Sequence, residues 1–586
     1  MQRITALLLA LLPQLPAQDS SPPNVVLIVT DDQGIGDFGH RGNSAVNTPN
    51  LDAMAAQSAQ LTSFYVSPVC APTRACLMTG RYNYRTRVVD TYIGRAMMEP
   101  QEVTIAEVLR DAGYATGIFG KWHLGDCYPM RPMDQGFQES LVHRGGGIGQ
   151  PSDPLGAEGD YTDAPLLYNG KLEPTTGYCT DVYFEAAMSW MLRARDAGRP
   201  SFTYIATNAP HGPFHDVPDD VYQSYLKDLD ALGNDRSPQE TGHPLPEKAN
   251  LDRRARIFAM ITNIDSAIGR LLAMLDREGM RQNTLVLFMV DNGPNGRRFV
   301  GGMRGMKSEV YEGGIRSPLL AHWPGRLEAG HDDDRVTAHI DLMPTILEAC
   351  GVAPPEDLTL DGRSAWPLLT GAATDWDDRT LYIQAHRGNQ PVRYHNFAAR
   401  NQRWKLVHAT GFGSETMKDR PFELYDMQAD PLELSDVAAE HPEVVERMKR
   451  EYDAWFDDVG STRDDNYAVP RIVLGSDAEP TTTLTRQDWR RESADSGWAA
   501  GSRGAWLTEV ATAGDYDLRI HWHGKHRPES MVLEIGGQTL EQDVPDGVDS
   551  VTFESVGLTA GPLELRATLL AGDTKRGPYQ VLVTRR

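Results

Sequence analysis

The sequence has few basic residues for its acidic content. It contains 57 Lys and Arg against 81 Asp and Glu, which gives a formal net charge of -24 and a pI of about 5.1. This balance argues against nucleic acid or an anionic membrane as the main partner. It also means that a site for an anionic substrate has to be locally cationic.

The sequence also lacks long apolar runs beyond its N-terminus, so no transmembrane helix and no membrane anchor are expected. Residues 1–17 are typical of a signal peptide: Arg3 precedes an apolar run too short to cross a bilayer, and Ala17 offers a small residue for cleavage. A buried first strand or helix is the alternative interpretation. Export predicts a secreted or periplasmic protein in an oxidising compartment.

Cysteine is scarce: Cys70, Cys76, Cys127, Cys179 and Cys350 are the only five in 586 residues. An odd number leaves at least one without an intramolecular partner. A Cys127–Cys179 bridge is possible, but spacing cannot decide the connectivity.

Apolar strand-like runs alternate with helical patterns from Asn24 to about residue 350. This alternation predicts an α/β fold with a largely parallel sheet and helices on both of its faces. Strands are predicted at residues 25–29, 115–119, 202–206 and 285–290, and a long amphipathic helix at residues 251–275. Thr48-Pro49 and a capping box formed by Thr104 and Glu107 mark two further helix starts.

Two different patterns follow this region. Residues 404–458 have the spacing of a short strand-and-helix annex, which completes a first domain of residues 24–458. Near residue 460 the pattern changes to short alternating runs with glycine-containing turns, which predicts a separate antiparallel β-sandwich over residues 470–586. Its tryptophans either stack on sugar rings, which would make this unit carbohydrate-binding, or form the sandwich core; they are Trp489, Trp498, Trp506 and Trp522.

Polar residues follow each of the four predicted strands. These residues are Asp31 and Asp32, Lys121 and His123, His211, and Asp291 and Asn292. A single such cluster is also compatible with a simple turn. Because ligands of open parallel sheets bind at the carboxyl ends of the strands, four clusters together predict one convergent site.

The acidic members of this set indicate a metal. Asp31, Asp32, Asp291 and Asn292 offer only oxygen ligands, which suit Ca²⁺ or Mg²⁺ and do not suit zinc. Without a cation the three carboxylates would repel one another. The pattern therefore predicts Ca²⁺, with Mg²⁺ as the second candidate.

A second motif is more specific. The segment Cys70-Ala71-Pro72-Thr73-Arg74, continued by Leu77-Met78-Thr79-Gly80-Arg81, resembles the signature of the sulfatase family, C-x-P-x-R with a Thr-Gly-Arg end. Further segments match the family in order: residues 120–125 (GKWHLG), Pro210-His211, residues 291–293, Lys307, residues 312–316 (EGGIR), residues 341–345, and residues 424–433. The resemblance covers residues 24–458. It implies the fold of the alkaline phosphatase superfamily, a mixed α/β sheet sandwiched by helices.

The resemblance also implies a nucleophile. A formylglycine-generating enzyme would oxidise Cys70 to formylglycine, and residue 70 would join the metal ligands. One hydroxyl of the aldehyde hydrate would attack sulfur and form a sulfated intermediate. His123 would be the base that allows sulfate to leave.

The remaining polar residues are assigned to charge stabilisation and proton transfer. Arg74 would hold the hydrate and the charge near it, and Lys121 and Lys307 would form the cationic pocket. His211, with Lys307, would protonate the leaving oxygen. Arg316 and Trp122 are expected to be structural.

Three functional classes follow from this reasoning. The first is a sulfatase acting on an aryl or carbohydrate sulfate, with a sulfated small molecule or glycan as its partner. The second is a phosphodiesterase or phosphonate monoester hydrolase, because relatives with the same aldehyde attack phosphorus. The third is a non-catalytic sugar-binding protein, which the presence of Cys70, His123 and His211 together disfavours.

Overall fold

The computed structural model describes residues 21–586 apart from residues 158, 234–241, 246–249, 374, 492–496, 500 and 524–526. The predicted signal peptide of residues 1–17 lies outside the described residues.

The largest sheet has eleven strands in the described part of the chain. They are Asn24–Thr30 (β1), Ala59–Tyr65 (β2), Ala115–Lys121 (β3), Glu139–His143 (β4), Leu166–Tyr168 (β5), Lys171–Glu173 (β6), Ser201–Ala206 (β7), Thr284–Val290 (β8), Arg316–His322 (β9), Asp332–Asp333 (β10) and Thr337–Ala338 (β11). All four strands that the sequence predicts are present within it, as β1, β3, β7 and β8.

The centre of this sheet is parallel, and antiparallel pairs connect it to its flanks. Strands β8, β1, β7, β3 and β4 lie side by side and run parallel. At the edges, β9 pairs antiparallel with both β8 and β2, and β5 pairs antiparallel with β4. Beyond β9, the short strands β10 and β11 pair parallel with β2. The sheet is therefore mixed, as the family resemblance implies, and most of its strand pairs are parallel, as the alternating pattern predicts.

Helices cover both faces of the sheet. The helices are Pro49–Ala56 (α1), Cys70–Thr79 (α2), Ile105–Asp111 (α3), Cys179–Asp196 (α4), Asp219–Leu226 (α5), Leu229–Gly233 (α6), Leu251–Arg277 (α7), Glu312–Ile315 (α8), Leu342–Ala349 (α9), Trp366–Leu369 (α10) and Pro442–Gly460 (α11). Side chains of β1 alternate between the two faces. Leu27 packs with residues of α2, α3, α9 and α10, whereas Ile28 packs with residues of α1, α4 and α7. This alternation is what a strand with period two requires when both faces are buried.

Two local predictions about helices have different outcomes. The Thr104–Glu107 capping box is formed at the start of α3. Pro49 begins α1, but the Thr48 hydroxyl donates to Asp52 and caps no backbone N–H group of the helix. Helix α7 is long and apolar enough to cross a membrane by length and composition, contrary to the expectation that no such stretch follows the N-terminus. However, 61% of its most apolar 18-residue stretch is buried inside the protein, as in the core helix of a globular domain.

The annex begins earlier than the sequence indicates. Its four-stranded sheet contains Leu381–Gln384 (β12), Phe397–Arg400 (β13), Trp404–His408 (β14) and Glu423–Asp426 (β15), so it starts at residue 381 and not near 404. The first two strands were missed because they are only four residues long, which is too short to show a periodic pattern, and all of their residues except the half-buried Tyr382 are buried.

The C-terminal strands form two sheets, as the sandwich prediction requires. They are Ile472–Leu474 (β16), Thr481–Thr485 (β17), Arg490–Arg491 (β18), Gly504–Val510 (β19), Gly514–His521 (β20), Ser530–Ile535 (β21), Gln538–Asp543 (β22), Ser550–Leu558 (β23), Gly561–Ala571 (β24), Thr574–Arg576 (β25) and Gln580–Arg585 (β26). One sheet follows the order β16-β19-β24-β21-β22 and the other β17-β26-β20-β23.

This sandwich packs against loops of the α/β region. Its apolar core continues into Ile93, Met97, Cys127 and Met130, which belong to loops of the α/β region. The predicted sandwich and the α/β region therefore share one hydrophobic cluster. Alternating strand patterns identify a sandwich but carry no information about the surface on which it packs.

The four tryptophans are mainly core residues. Trp489, Trp506 and Trp522 are buried in the sandwich cluster. Trp498 is half-buried and packs edge-on against Tyr92, with ring centroids 5.1 Å apart.

None of the five cysteines forms a disulfide. Cys127 lies in the cluster shared with the sandwich, whereas Cys179 begins α4 on one face of the main sheet. The possible Cys127–Cys179 bridge is therefore not formed.

Candidate active site

The site lies where the central strands end. Because β8, β1, β7 and β3 are neighbours with the same direction, the residues that follow them meet at one edge of the sheet. The backbone connects these ends directly: Asp31 N donates to Ala209 O, Asp291 N to Thr30 O, and Thr207 N to Val29 O. The four polar clusters predicted to converge are brought together in this way.

Cys70 is placed at this edge by α2, of which it is the first residue. Thr73, one turn further on, fixes the helix: its hydroxyl donates to Asp291 O at 2.7 Å and accepts from Ser67 N at 3.0 Å. The helix ends at Gly80, which adopts the left-handed conformation (φ 65°) of a C-terminal glycine. Cys70 is 3% exposed, and burial raises the pKa of its thiol.

Residue 70 and two carboxylates surround one point. Cys70 Sγ and one carboxylate oxygen each of Asp31 and Asp291 lie within 4.8 Å of one another, and all three residues are buried. Three buried oxygens in this region accept no hydrogen bond: Asp31 Oδ1, Asp32 Oδ2 and Asn292 Oδ1. Unsatisfied buried oxygens are costly unless a cation binds them, so this donor set fits a hard divalent ion.

Each carboxylate also has its own cationic partner. Lys121 Nζ lies 2.5 Å from Asp31 Oδ2, Lys307 Nζ lies 2.5 Å from Asp32 Oδ1, and Arg74 Nη2 lies 2.8 Å from Asp291 Oδ2. The sequence predicted Arg74 beside the hydrate at position 70. This role stays a prediction. The Arg74 guanidinium also bonds Asp291, the Lys121 carbonyl and the Tyr204 hydroxyl, so it positions a carboxylate and the end of β3.

The neighbouring cations stabilise the charged forms of these carboxylates to different extents. Burial alone would raise the pKa of Asp31, but Lys121 lowers it. Burial, together with repulsion by Asp31, raises the pKa of Asp291 to about 7. A divalent cation between these two carboxylates would remove their repulsion.

His123 is oriented by the backbone of a distant loop. Its Nε2 lies 2.7 Å from the carbonyl oxygen of Thr91, so Nε2 carries the proton and Nδ1 has a free lone pair. Nδ1 is buried and has no hydrogen-bond partner. Burial, reinforced by the charge of Lys121, holds the pKa of His123 well below its ordinary value. The ring is therefore a neutral proton acceptor.

His211 is arranged in the opposite way. Its Nδ1 lies 2.6 Å from Gly212 O, and its Nε2 lies 3.7 Å from Asp32 Oδ2. Burial lowers the pKa of His211 below its ordinary value, and the charge of Asp32 opposes this shift only in part. When the ring is protonated, Nδ1–H stays on the carbonyl and Nε2–H is available for transfer.

Three of the eleven non-glycine residues with positive φ in the described part of the chain lie at this site. Asp32, His123 and Ser308, the residue after Lys307, have φ values of 63°, 61° and 74°, which non-glycine residues rarely adopt. Close packing by glycine is also required: a Cβ on Gly146 would lie 2.7 Å from the His123 ring, and one on Gly147 would lie 3.0 Å from the His211 ring.

Sequence reasoning missed several residues that support the site. Thr73 stands at a variable position of the C-x-P-x-R motif, and Thr91, Gly146 and Gly147 lie in loops without regular spacing. Their roles depend on contacts distant in sequence, so only the glycine-rich run at 145–147 was a signal. Trp122 and Arg316 are structural, as expected: Trp122 is buried in the core, and Arg316 pairs with Glu312.

Comparisons with known proteins agree with this geometry. A family model for sulfatases matches residues 23–352, and a model for the C-terminal region of N-sulphoglucosamine sulphohydrolase matches residues 306–456. Arylsulfatase A of Homo sapiens is 32% identical over 73% of this chain and 87% of its own length. N-acetylgalactosamine-6-sulfatase of Canis lupus familiaris is 32% identical over 60% of this chain and 67% of its own length.

A solved structure is also similar to this chain. The crystal structure of Ps i-CgsB in complex with k-i-k-neocarrahexaose is 28% identical, with a TM-score of 0.63 over 74% of this chain and 93% of that one.

Proposed function

The chain belongs to the sulfatase family and is a sulfate ester hydrolase, and we propose that it acts on a carbohydrate sulfate with a formylglycine made from Cys70. The observation that carries the proposal is a buried cluster in which residue 70 lies beside the carboxylates of Asp31 and Asp291. Lys121 and Lys307 lie next to this cluster, paired with Asp31 and Asp32. A carbohydrate substrate is supported by the oligosaccharide complex of one relative and by the amino-sugar sulfate in the name of another.

The metal that fits the donor set is Ca²⁺, with Mg²⁺ as the alternative. Asp31, Asp32, Asp291, Asn292 and residue 70 would hold it. When bound, it supplies positive charge that polarises an anionic substrate and neutralises the carboxylates.

The protein side chains have separate roles. Lys121 and Lys307 bind the sulfate oxygens and compensate the charge that develops on them. His211 donates the Nε2 proton to the leaving oxygen. His123 accepts a proton at Nδ1, the nitrogen that its bond to Thr91 leaves free. Arg74 keeps Asp291 and the end of β3 in position.

Maturation and export complete the proposal. The C-x-P-x-R spacing of Cys70 to Arg74 supports recognition by a formylglycine-generating enzyme. The N-terminal pattern of residues 1–17 supports a secreted or periplasmic location.

Turnover of matched esters tests the function. We expect the matured enzyme, supplied with Ca²⁺, to release sulfate from an aryl sulfate and from sulfated sugars faster than it releases phosphate or phosphonate from esters with the same leaving group. Faster cleavage of the phosphorus esters would instead support the phosphodiesterase or phosphonate monoester hydrolase alternative. Cys70→Ala is the inactive control for both.

A further inference from the structure

An arginine is held between two aromatic rings at the rim of the active site. The guanidinium of Arg387 lies 4.1 Å from the ring centroid of Tyr92 and 4.7 Å from that of Phe412. Its Nη1 lies 2.5 Å from Asp90 Oδ1 and 2.8 Å from Thr91 Oγ1. Aromatic stacking and these bonds fix the group before any ligand arrives, which reduces the entropy lost on binding.

This arginine is close to both ends of the catalytic machinery. Thr91, which accepts from Arg387 with its hydroxyl, orients His123 with its carbonyl. Phe412, the second ring beside the guanidinium, packs with Val69, the residue before Cys70. Thr91 therefore links Arg387 to the base His123, and Phe412 followed by Val69 links it to the nucleophile position at residue 70.

One edge of the guanidinium remains available. Its side chain is 29% exposed, and within the described part of the chain the hydrogen bonds of the guanidinium use only Nη1. The Nε and Nη2 donors are then free to make a bidentate contact with a carboxylate or a sulfate group.

A cavity lies beside Phe412. It has a volume of about 530 Å³, and its lining includes Lys307, Phe412, Asn396, Arg304 and Arg420. Arg387 does not line this cavity itself, but it is adjacent to it through Phe412, on whose ring its guanidinium stacks. Its acidic lining residues are already paired: Glu423 with Arg304, and Glu309 with Arg297. The lining therefore carries three cations, Arg304, Lys307 and Arg420, against the two carboxylates Glu309 and Glu423. In a chain with a net charge of -24, this local excess of positive charge favours an anionic ligand.

We propose that Arg387 and this cavity form the leaving-group subsite for a sugar that carries a second anionic group. This inference rests on the proposed function, because Lys307 would hold the reacting sulfate at the inner end of the cavity. Arg387 is then a specificity-determining residue: it recognises a carboxylate or a further sulfate next to the ester that is cleaved.

Matched substrates test the proposal in the matured enzyme. The probes are a monosulfated hexosamine, the same sugar with a second sulfate, the sulfated sugar linked to a uronic acid, and an aryl sulfate without another charge. We expect kcat/KM to be higher for at least one doubly anionic sugar than for the monosulfated one. Loss of a charged bidentate contact in Arg387→Gln should lower that kcat/KM by about tenfold or more, mainly through KM.

The control is Arg403→Gln, since Arg403 also stacks on an aromatic ring and pairs with an aspartate, but lies elsewhere in the annex. Arg403→Gln should leave the preference for the doubly anionic sugar unchanged. Arg387→Lys, which keeps the charge but not the bidentate geometry, should retain only part of this preference. No preference for a second anion in the parent enzyme, or a preference that survives in Arg387→Gln, would overturn the subsite. An equal loss on the aryl sulfate would assign Arg387 to support of Thr91 and His123 and would also overturn it. Failure to cleave any sulfate ester would reject the proposed function itself, which is a distinguishable result.

Discussion

Lys307 Nζ lies 2.5 Å from Asp32 Oδ1, and this ion pair joins the predicted cationic pocket to the predicted metal site. Asp32 is fully buried. Burial would lower the pKa of Lys307, but the negative charge of Asp32 raises it above its ordinary value. The lysine thus stays charged while it faces both a metal ligand and the position of the substrate.

Replacing this lysine should affect catalysis strongly. We expect Lys307→Met to reduce kcat by about a hundredfold or more, because a preorganised charge is removed from the sulfate oxygens. It also leaves Asp32 buried without its cation, so the midpoint of thermal unfolding should fall. Steady-state kinetics and thermal unfolding measure the two effects. The matched control is Lys449→Ala, which removes a lysine paired with Glu446 at the surface of α11. Full activity in Lys307→Met would contradict the role given to this residue.

The metal prediction is tested through stability as well as through activity. Because Asp31 Oδ1, Asp32 Oδ2 and Asn292 Oδ1 are buried without partners, calcium should bind the folded chain and raise its unfolding midpoint with increasing concentration. Asp31→Asn should weaken this dependence, whereas Asp181→Asn, at a surface pair with Arg270, should not. Elemental analysis should find calcium or magnesium. Stoichiometric zinc, or an unfolding midpoint independent of calcium and magnesium, would contradict the assignment.

Acid should destabilise the protein through buried histidines. His339 is buried with Nε2 at 3.0 Å from Ser67 Oγ and with Nδ1 accepting from Ile340 N, and burial lowers its pKa to about 3. Since this folded-state pKa is below the unfolded value of 6.5, its contribution is complete above pH 6.5 and is lost as the pH falls toward 3. At pH 5 the loss is about 2 kcal/mol.

The matched variant isolates this effect. Denaturant unfolding of the parent protein and of His339→Gln should show a smaller difference in free energy at pH 5 than at pH 7.5. A difference that is independent of pH would show that His339 does not titrate in this way.

Removal of the C-terminal sandwich should not leave a soluble catalytic domain. Truncation after residue 465 would expose Ile93, Met97, Cys127 and Met130, which the sandwich now covers. It would also remove Gln487, whose Nε2 donates to the Thr91 carbonyl that orients His123. We expect aggregation, measured by size-exclusion chromatography.

A point substitution in the full chain checks the same contact without unfolding the sandwich. Gln487→Leu should lower turnover of small and polymeric substrates alike. If the truncated chain is folded and fully active on a small aryl sulfate, the sandwich is an independent module after all.

Site residues that stand in a local sequence pattern could be predicted, whereas residues whose roles depend on contacts distant in sequence could not. Asp31, Asp291 and His123 were identified because each directly follows a strong apolar run, and parallel strands bring such positions together. Cys70 was identified by a short linear motif. Thr91 and Arg387 were not, because they lie in loops and acquire their roles only through contacts separated by tens or hundreds of residues. The same reason explains why the docking of the sandwich could not be predicted from its strand pattern.

The central claim is that residue 70 acts as an aldehyde and not as a thiol. The most direct measurement is mass spectrometry of the tryptic peptide that ends at Arg74, from active enzyme produced together with a formylglycine-generating enzyme. We expect the mass of a peptide in which the Cys70 thiol has been replaced by an aldehyde, with activity proportional to the converted fraction, and no activity in Cys70→Ala. Fully active protein with an unmodified Cys70 thiol would contradict the account.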